Sequence, residues 1–199
     1  MTQIASIGAG MYSDLSVAML SSTPPFNSLD TFIEFTPYFA TQIESVGGTK
    51  STNTFVRVKN VRDFPAMGTP PNIVNVPTYG QSTSQQIQGQ SNAPTMEISM
   101  NFVATDWAKV TGCLLGLAVG DGLQYVFRFT LLNAVPTGSG VTQYASITTG
   151  LGTVPNSQYF WVGKMEALMV KPNLADANTA TLTLTLQSPV YGAYTSDAA

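Results

Sequence analysis

Few groups in this chain are able to do chemistry. It contains no histidine and a single cysteine, Cys113. A Ser–His–Asp triad is therefore impossible within one chain, as are a disulfide framework and a Cys/His zinc site. Cys113 stands in the apolar stretch VTGCLLGLAVG. With no imidazole to activate it, it reads as a small buried hydrophobe rather than a nucleophile. The eleven Asp and Glu residues are scattered, and no two form an evident general acid–base pair. No motif asks for a cofactor or a metal ion.

Two glycine-containing stretches imitate nucleotide-binding turns and fail on inspection. SIGAGMYSDL offers Gly8 and Gly10, with Asp30 about twenty residues further on, as a dinucleotide site requires. Ser13 occupies the place of the third glycine, the preceding TQIAS is too polar for a buried strand, and SSTPPFNS interrupts where a second strand should begin. GGTKST echoes a phosphate loop, but Thr49 stands where glycine should precede Lys50. Tyr125, Phe127, Phe129, Tyr159, Phe160 and Trp161 could stack nucleic-acid bases. Core packing is their simpler use, because the basic groove such a platform needs is missing. Lys50, Arg57, Lys59 and Arg62 fall in one short segment, either a solvated strand face or a pairing surface for an acidic neighbour.

Composition points away from catalysis and toward assembly. Charged residues make up only 10% of the chain, against roughly 25% in an ordinary soluble domain. A surface this poor in charge is expected to be hidden against partners, since charge is what keeps copies apart. The net charge is −3 and the pI about 4.7, which disfavours a surface that grips phosphates. The first residues lack a basic region and carry Asp14, unlike a secretory signal. The longest apolar run, CLLGLAVG, is too short to cross a bilayer. Synthesis in the cytoplasm, without a membrane partner, is the expectation.

The elements that would position these residues are mostly strands. Residues 1–54 read as an N-terminal arm and leading strand region, with TFIEFTPYFATQIES a strand broken by Pro37. TFVRVKNVRDF alternates as one half-buried strand, and Pro65, Gly68, Pro70 and Pro71 then force a corner. NIVNVPTY reads as a second strand and GQSTSQQIQGQSNAP as a long polar loop. TMEISMNFV alternates again, with Met96, Ile98, Met100 and Phe102 on one face. A helix over about 105–118, capped by Thr105 or Asp106, presents Trp107, Val110, Leu114 and Leu115 as a stripe. LQYVFRFTLLN and YFWVGKMEALMVKP read as strands, separated by a long excursion over 134–158. TATLTLTLQSPV alternates with a period of two and carries no device that protects an edge, so it is either central or meets another chain. Residues 191–199 read as a C-terminal tail. The fold class expected is mainly β, a sandwich or barrel-like domain with one packed helix.

From residue 55 onward this order resembles the tail tube, or major tail, protein of long-tailed non-contractile bacteriophages. The resemblance rests on FVRVKNVRDFPAMGTPPNIVNVPTYG as strand, corner and strand, then QSTSQQIQGQSNAP, MEISMNF, DWAKVTGCLLGLAVGDG, YVFRFTLL, YFWVGKMEALMV and TATLTLTLQ. It covers roughly residues 55–190, and its weight lies in the order of short, degenerate pieces. It departs from the simplest pattern in two places: the first fifty-odd residues have no counterpart in it, and the 134–158 excursion is long.

What the resemblance implies is a structural subunit that forms hexameric rings, stacked into a hollow tube through which DNA is delivered. The implied partners are further copies of the chain, a tape-measure protein, a tail terminator and tail-tip proteins, with DNA passing through the lumen without specific binding. The implied location is the virion tail. Tyr79, Gln81, Gln85, Gln86, Ile87 and Gln88 in the polar stretch, with Thr183 and Thr185 in the last alternating strand, are the expected subunit interface. Two other readings stay open at this point: another self-assembling component of a phage tail or secretion tube, and a β-sandwich binding module.

Overall fold

The computed structural model describes residues 13–20, 43–44, 55–68, 73–77, 79–80, 82–88, 95–132 and 157–195. The Pro37-broken strand falls outside them except at Ile43–Glu44, as do Lys50, Gln81 and all but the end of the 134–158 excursion. The elements are β1 (Asp14–Met19), β2 (Ile43–Glu44), β3 (Phe55–Arg57), β4 (Val61–Asp63), β5 (Ile73–Val76), β6 (Gln85–Gln88) and β7 (Thr95–Asn101). After them come α1 (Leu114–Ala118), β8 (Tyr125–Leu131), β9 (Ser157–Lys171), β10 (Thr179–Leu186) and β11 (Tyr191–Thr195). The fold is mainly β. One sheet runs β2-β3-β1-β8-β9-β10-β7-β4, with β11 beside β9, and a separate two-stranded sheet joins β5 to β6. Among the described residues every pairing is antiparallel except β2 with β3.

The large sheet is rolled, because its distant members β3 and β4 are joined by only Val58–Asn60. Val58 donates its N–H to the Leu15 carbonyl of β1 at 2.8 Å, and the Asn60 carbonyl accepts from the Asn101 N–H of β7 at 2.9 Å. Lys59 alone separates a residue held by β1 from one held by β7. The single strand expected over TFVRVKNVRDF is thus two, and Asn60 supplies the break at φ 58°, a left-handed conformation that asparagine tolerates better than most residues. The seam is a chain link and not a hydrogen-bonded ladder, so the sheet stays open.

Strand alternation fills the inside of the roll. Leu15 and Val17, Phe127 and Phe129, Leu182, Leu184 and Leu186, and Met96, Ile98 and Met100 all lie in one buried cluster. Phe127 and Trp161 stack across β8 and β9 with centroids 5.5 Å apart and planes within 5°. β10 is central, flanked by β9 and β7. Its leucines face this core while Thr179, Thr181, Thr183 and Thr185 are half-buried on the other face, which resolves the question of its unprotected edges.

The helix is shorter than the sequence suggests. Residues 103–112 form turns, with the Asp106 N–H on the Val103 carbonyl and the Val110 N–H on the Ala108 carbonyl. Gly112, at φ 94°, then breaks the path, so α1 starts after Cys113, which makes no side-chain cap bond. Asp106 is no cap, and Val110 is exposed. Trp107, Leu114, Leu115 and Ala118 still pack on the core, and the Gly120 N–H docks on the Met165 carbonyl at 2.8 Å.

Three further expectations change. Asp14–Met19, placed in an arm, is an interior strand between β3 and β8. Tyr191–Thr195, placed in a tail, pairs with β9, guided there by the Gln187 N–H on the Val162 carbonyl and by Ser188 Oγ accepting from the Val162 N–H. Gln85–Gln88, read as loop, pairs with β5.

Candidate assembly surfaces

The β5–β6 hairpin is the most exposed element described. Val74 pairs with Ile87 and Val76 with Gln85, so by strand alternation Val74, Val76 and Ile87 share one face while Ile73, Asn75, Gln86 and Gln88 share the other. All eight strand residues are exposed, and Tyr79 between them is fully so. No charged residue occurs between Asp63 and Glu97. A two-stranded hairpin is marginal in water, and one that bears Ile73, Val74, Val76 and Ile87 in the open calls for a covering surface.

Of the expected interface residues, Tyr79, Gln85, Gln86, Ile87 and Gln88 come together on this hairpin, and Gln81 lies outside the described residues. Thr183 and Thr185 belong to the other sheet, on the face away from the core. The sequence reading missed Ile73, Val74 and Val76 as exposed partners of β6. The signal for them was the long uncharged run around two β-branched residues. It also missed the β9–β10 turn, where Met169, Val170 and Leu174 are exposed.

Two stretches of strand lack a neighbour on one side among the described residues. β4 reaches only to Ser99 along β7, which leaves Thr95–Ile98 open. β8 ends against Gly163 of β9, and beyond the Met165 carbonyl, taken by Gly120, no strand covers Glu166–Lys171 on that side.

The seam of the roll holds a cavity of about 620 Å³ lined by Ser13, Asp14, Arg57, Lys59, Arg62 and Asp63 among others. Its inner cations already have partners in this chain. Arg57 forms an ion pair with Asp14, and Lys59 lies 3.7 Å from Asp106. Of the basic segment's described residues only Arg62 is exposed, beside exposed Asp63. Neither a wholly solvated face nor a broad pairing surface describes it.

Behind the seam, the outer face of β1, β8 and β9 carries a second buried layer. Ala18, Phe55, Val126, Leu132, Phe160 and Val162 form its apolar part. Arg128 and Gln158 have no exposure at all, and the Arg128 guanidinium lies 3.9 Å from the centroid of the Phe55 ring, within cation–π range. Burial pushes Arg128 down to about 9 against the opposing pull of Asp14, so it remains a cation at neutral pH. Burial also raises the carboxyl of Asp14, opposed by Arg57 and then Arg128. These charges answer one another, and their burial on the same face as Ala18 and Val126 makes them structural. Among the described residues no group of three or more His, Cys, Asp or Glu is placed to hold a metal ion, and no helix is long and apolar enough to cross a membrane.

No family model matches the chain, and no curated protein is found to match it. Solved structures similar in fold include two at very low identity. A chain of the anti-feeding prophage baseplate, determined by cryo-EM with 6-fold symmetrisation, is 8% identical with a TM-score of 0.47, over 91% of this chain and 93% of that one. A chain of the SPP1 tail tube, determined by solid-state NMR and cryo-EM, is 9% identical with a TM-score of 0.45, over 92% of this chain and 78% of that one.

Proposed function

We propose that this chain is the structural subunit of a tail tube: copies joined side by side in hexameric rings, and rings stacked into a hollow tube that delivers DNA. The observation that carries the reading is the β5–β6 hairpin, whose eight strand residues are all exposed and lie in a stretch without charge. Nothing in the chemistry of that hairpin suits a small ligand, whereas a second copy would cover its apolar side chains. The open stretches of β7 and β9 support lateral joining, because an uncovered strand invites another chain. Head-to-tail contacts that close by rotation make rings, and contacts between ring faces extend them into filaments.

In this reading the partners are further copies, a tape-measure protein, and the terminator and tip proteins at the tube ends. DNA passes without specific binding, in keeping with a net charge of −3 that does not attract phosphates. The subunit is made in the host cytoplasm and ends in the virion tail. Negative-stain electron microscopy of purified protein over a concentration series is the test. Hollow tubes or stacked rings are expected. A monomer at every concentration, together with absence of the protein from tails isolated from a lysate, would overturn the reading.

A further inference from the structure

We infer that the axial contact between copies joins the Val74–Val76–Ile87 face of one hairpin to the β9–β10 turn of the next copy, at Met169, Val170 and Leu174. The inference rests on the tube reading and adds to it the partner surface for the hairpin. The apolar side chains on both are exposed, Leu174 completely and Met169 at 60%. Met169 and Val170 lie on opposite faces of β9, level with Thr181 and Ala180, so they flank the turn that carries Leu174 on either side.

Their positions suit head-to-tail stacking. β4 runs antiparallel to β7 toward the Thr95 end, so the excursion bearing the hairpin leaves and re-enters the sheet at that end. Thr95 is level with Thr185, whereas Asn101 at the other end is level with Thr179, which in turn faces Lys171 at the base of the β9–β10 turn. The seven residues of β7 therefore separate the two attachment points by roughly 20 Å at about 3.4 Å per residue. One surface issues from each end of the same strands, so a copy translated along the strand direction brings the turn of one molecule toward the hairpin of another.

Size explains why the contact needs a ring. Eight strand residues fall well short of the roughly 20–30 residues a side of a stable interface. A single hairpin contact would not hold two monomers, but the same contact repeated around a ring acts with the gain of multivalency. Lacking charge on the hairpin side, it is also insensitive to the screening that weakens ion pairs.

The experiment compares Ile87→Lys, Leu174→Asp and the double variant with the unaltered chain. Stacking is read by electron microscopy and sedimentation, folding by circular dichroism. Both positions are exposed, so the monomer fold is expected to be retained. Each single variant should form rings but need roughly tenfold or more protein to stack. The double variant should recover stacking, because the ammonium introduced on one ring then meets the carboxylate introduced on the next, and added salt should weaken the recovery. If the unaltered chain makes tubes and Leu174→Asp stacks equally well, or if the double variant is no better than the single ones, the contact is wrong while the tube reading stands. An unaltered chain that stays monomeric at every concentration and is absent from tails isolated from a lysate removes both.

Discussion

A Cβ on Gly116 would stand 2.1 Å from the carbonyl oxygen of Ala108. The middle of α1 thus lies directly on the backbone of the turns before it, a spacing only glycine permits. Gly116→Ala pits two effects against each other. Alanine favours a helix by about 1 kcal/mol over glycine, whereas overpacking costs about 1–3 kcal/mol, and a backbone carbonyl cannot swing aside as a side chain can. The clash should win, so the variant is expected to lose up to roughly 2 kcal/mol net and to melt at a lower temperature. An unchanged or raised midpoint would mean that α1 is not seated against Ala108.

That contact also shows what the sequence hid. The stripe Trp107, Leu114, Leu115 predicted a core-facing element, and those residues do face the core. The backbone between them is turns, a consequence of Gly112 at positive φ that spacing alone does not reveal. The two faces of β10 were legible because its threonines alternate with Ala180 and the leucines, but its central place between β9 and β7 was not. β1 was not, since Asp14 and Ser16 read as surface residues when their partners, Arg57 and the Arg128 carbonyl, are distant in the chain. The strand in QQIQ was invisible for a related reason. Glutamines on both faces give no polarity contrast, and only pairing with Ile73–Val76 makes it a strand. The break that turns one expected strand into β3 and β4 falls at a left-handed residue, Asn60.

The buried layer should give stability a pH dependence traceable to Asp14. Its carboxyl is raised above the ordinary 3.8 mainly by burial. The native state therefore holds that proton to higher pH than the unfolded chain does. The contribution is fully present below about pH 3.8 and is lost as pH rises through the raised value. Asp14→Asn removes this proton, so the difference in stability between pH 4 and pH 7 should shift in the variant, with the unaltered chain losing more on the way up. Denaturant midpoints across that range measure it, and parallel curves for the two proteins would refute the assignment.

Leu184 and Thr183 are adjacent and face opposite sides of β10. Leu184 is wholly buried, level with Met96 and Met165. A lone carboxylate there lacks a partner, a penalty comparable with the roughly 5–15 kcal/mol that holds a domain together. Leu184→Asp should yield no folded soluble protein. Thr183→Asp places its charge on the outer face, directly opposite Glu97, where like charges cost roughly 0.2–1 kcal/mol. It should fold with a slightly lowered midpoint. Circular dichroism of the soluble fractions separates the two, and a well-folded Leu184→Asp would mean the strand is placed with the wrong face inward.

Deleting Ser84–Gln88 removes β6 and leaves β5 without its partner. Neither strand contributes a buried side chain, and shortening an exposed excursion changes loop-closure entropy by well under about 1 kcal/mol. The melting midpoint of the monomer should therefore stay close to that of the full chain. Assembly should not. In the proposed ring, lateral joining through the large sheet does not involve β6, so single rings are the expected product, with tubes absent at concentrations where the full chain forms them. Electron microscopy beside a thermal melt distinguishes this from general damage: rings with an unchanged midpoint support a stacking role for the hairpin. A lowered midpoint would mean that it braces its own domain, and normal tubes from the shortened chain would leave it with no part in assembly.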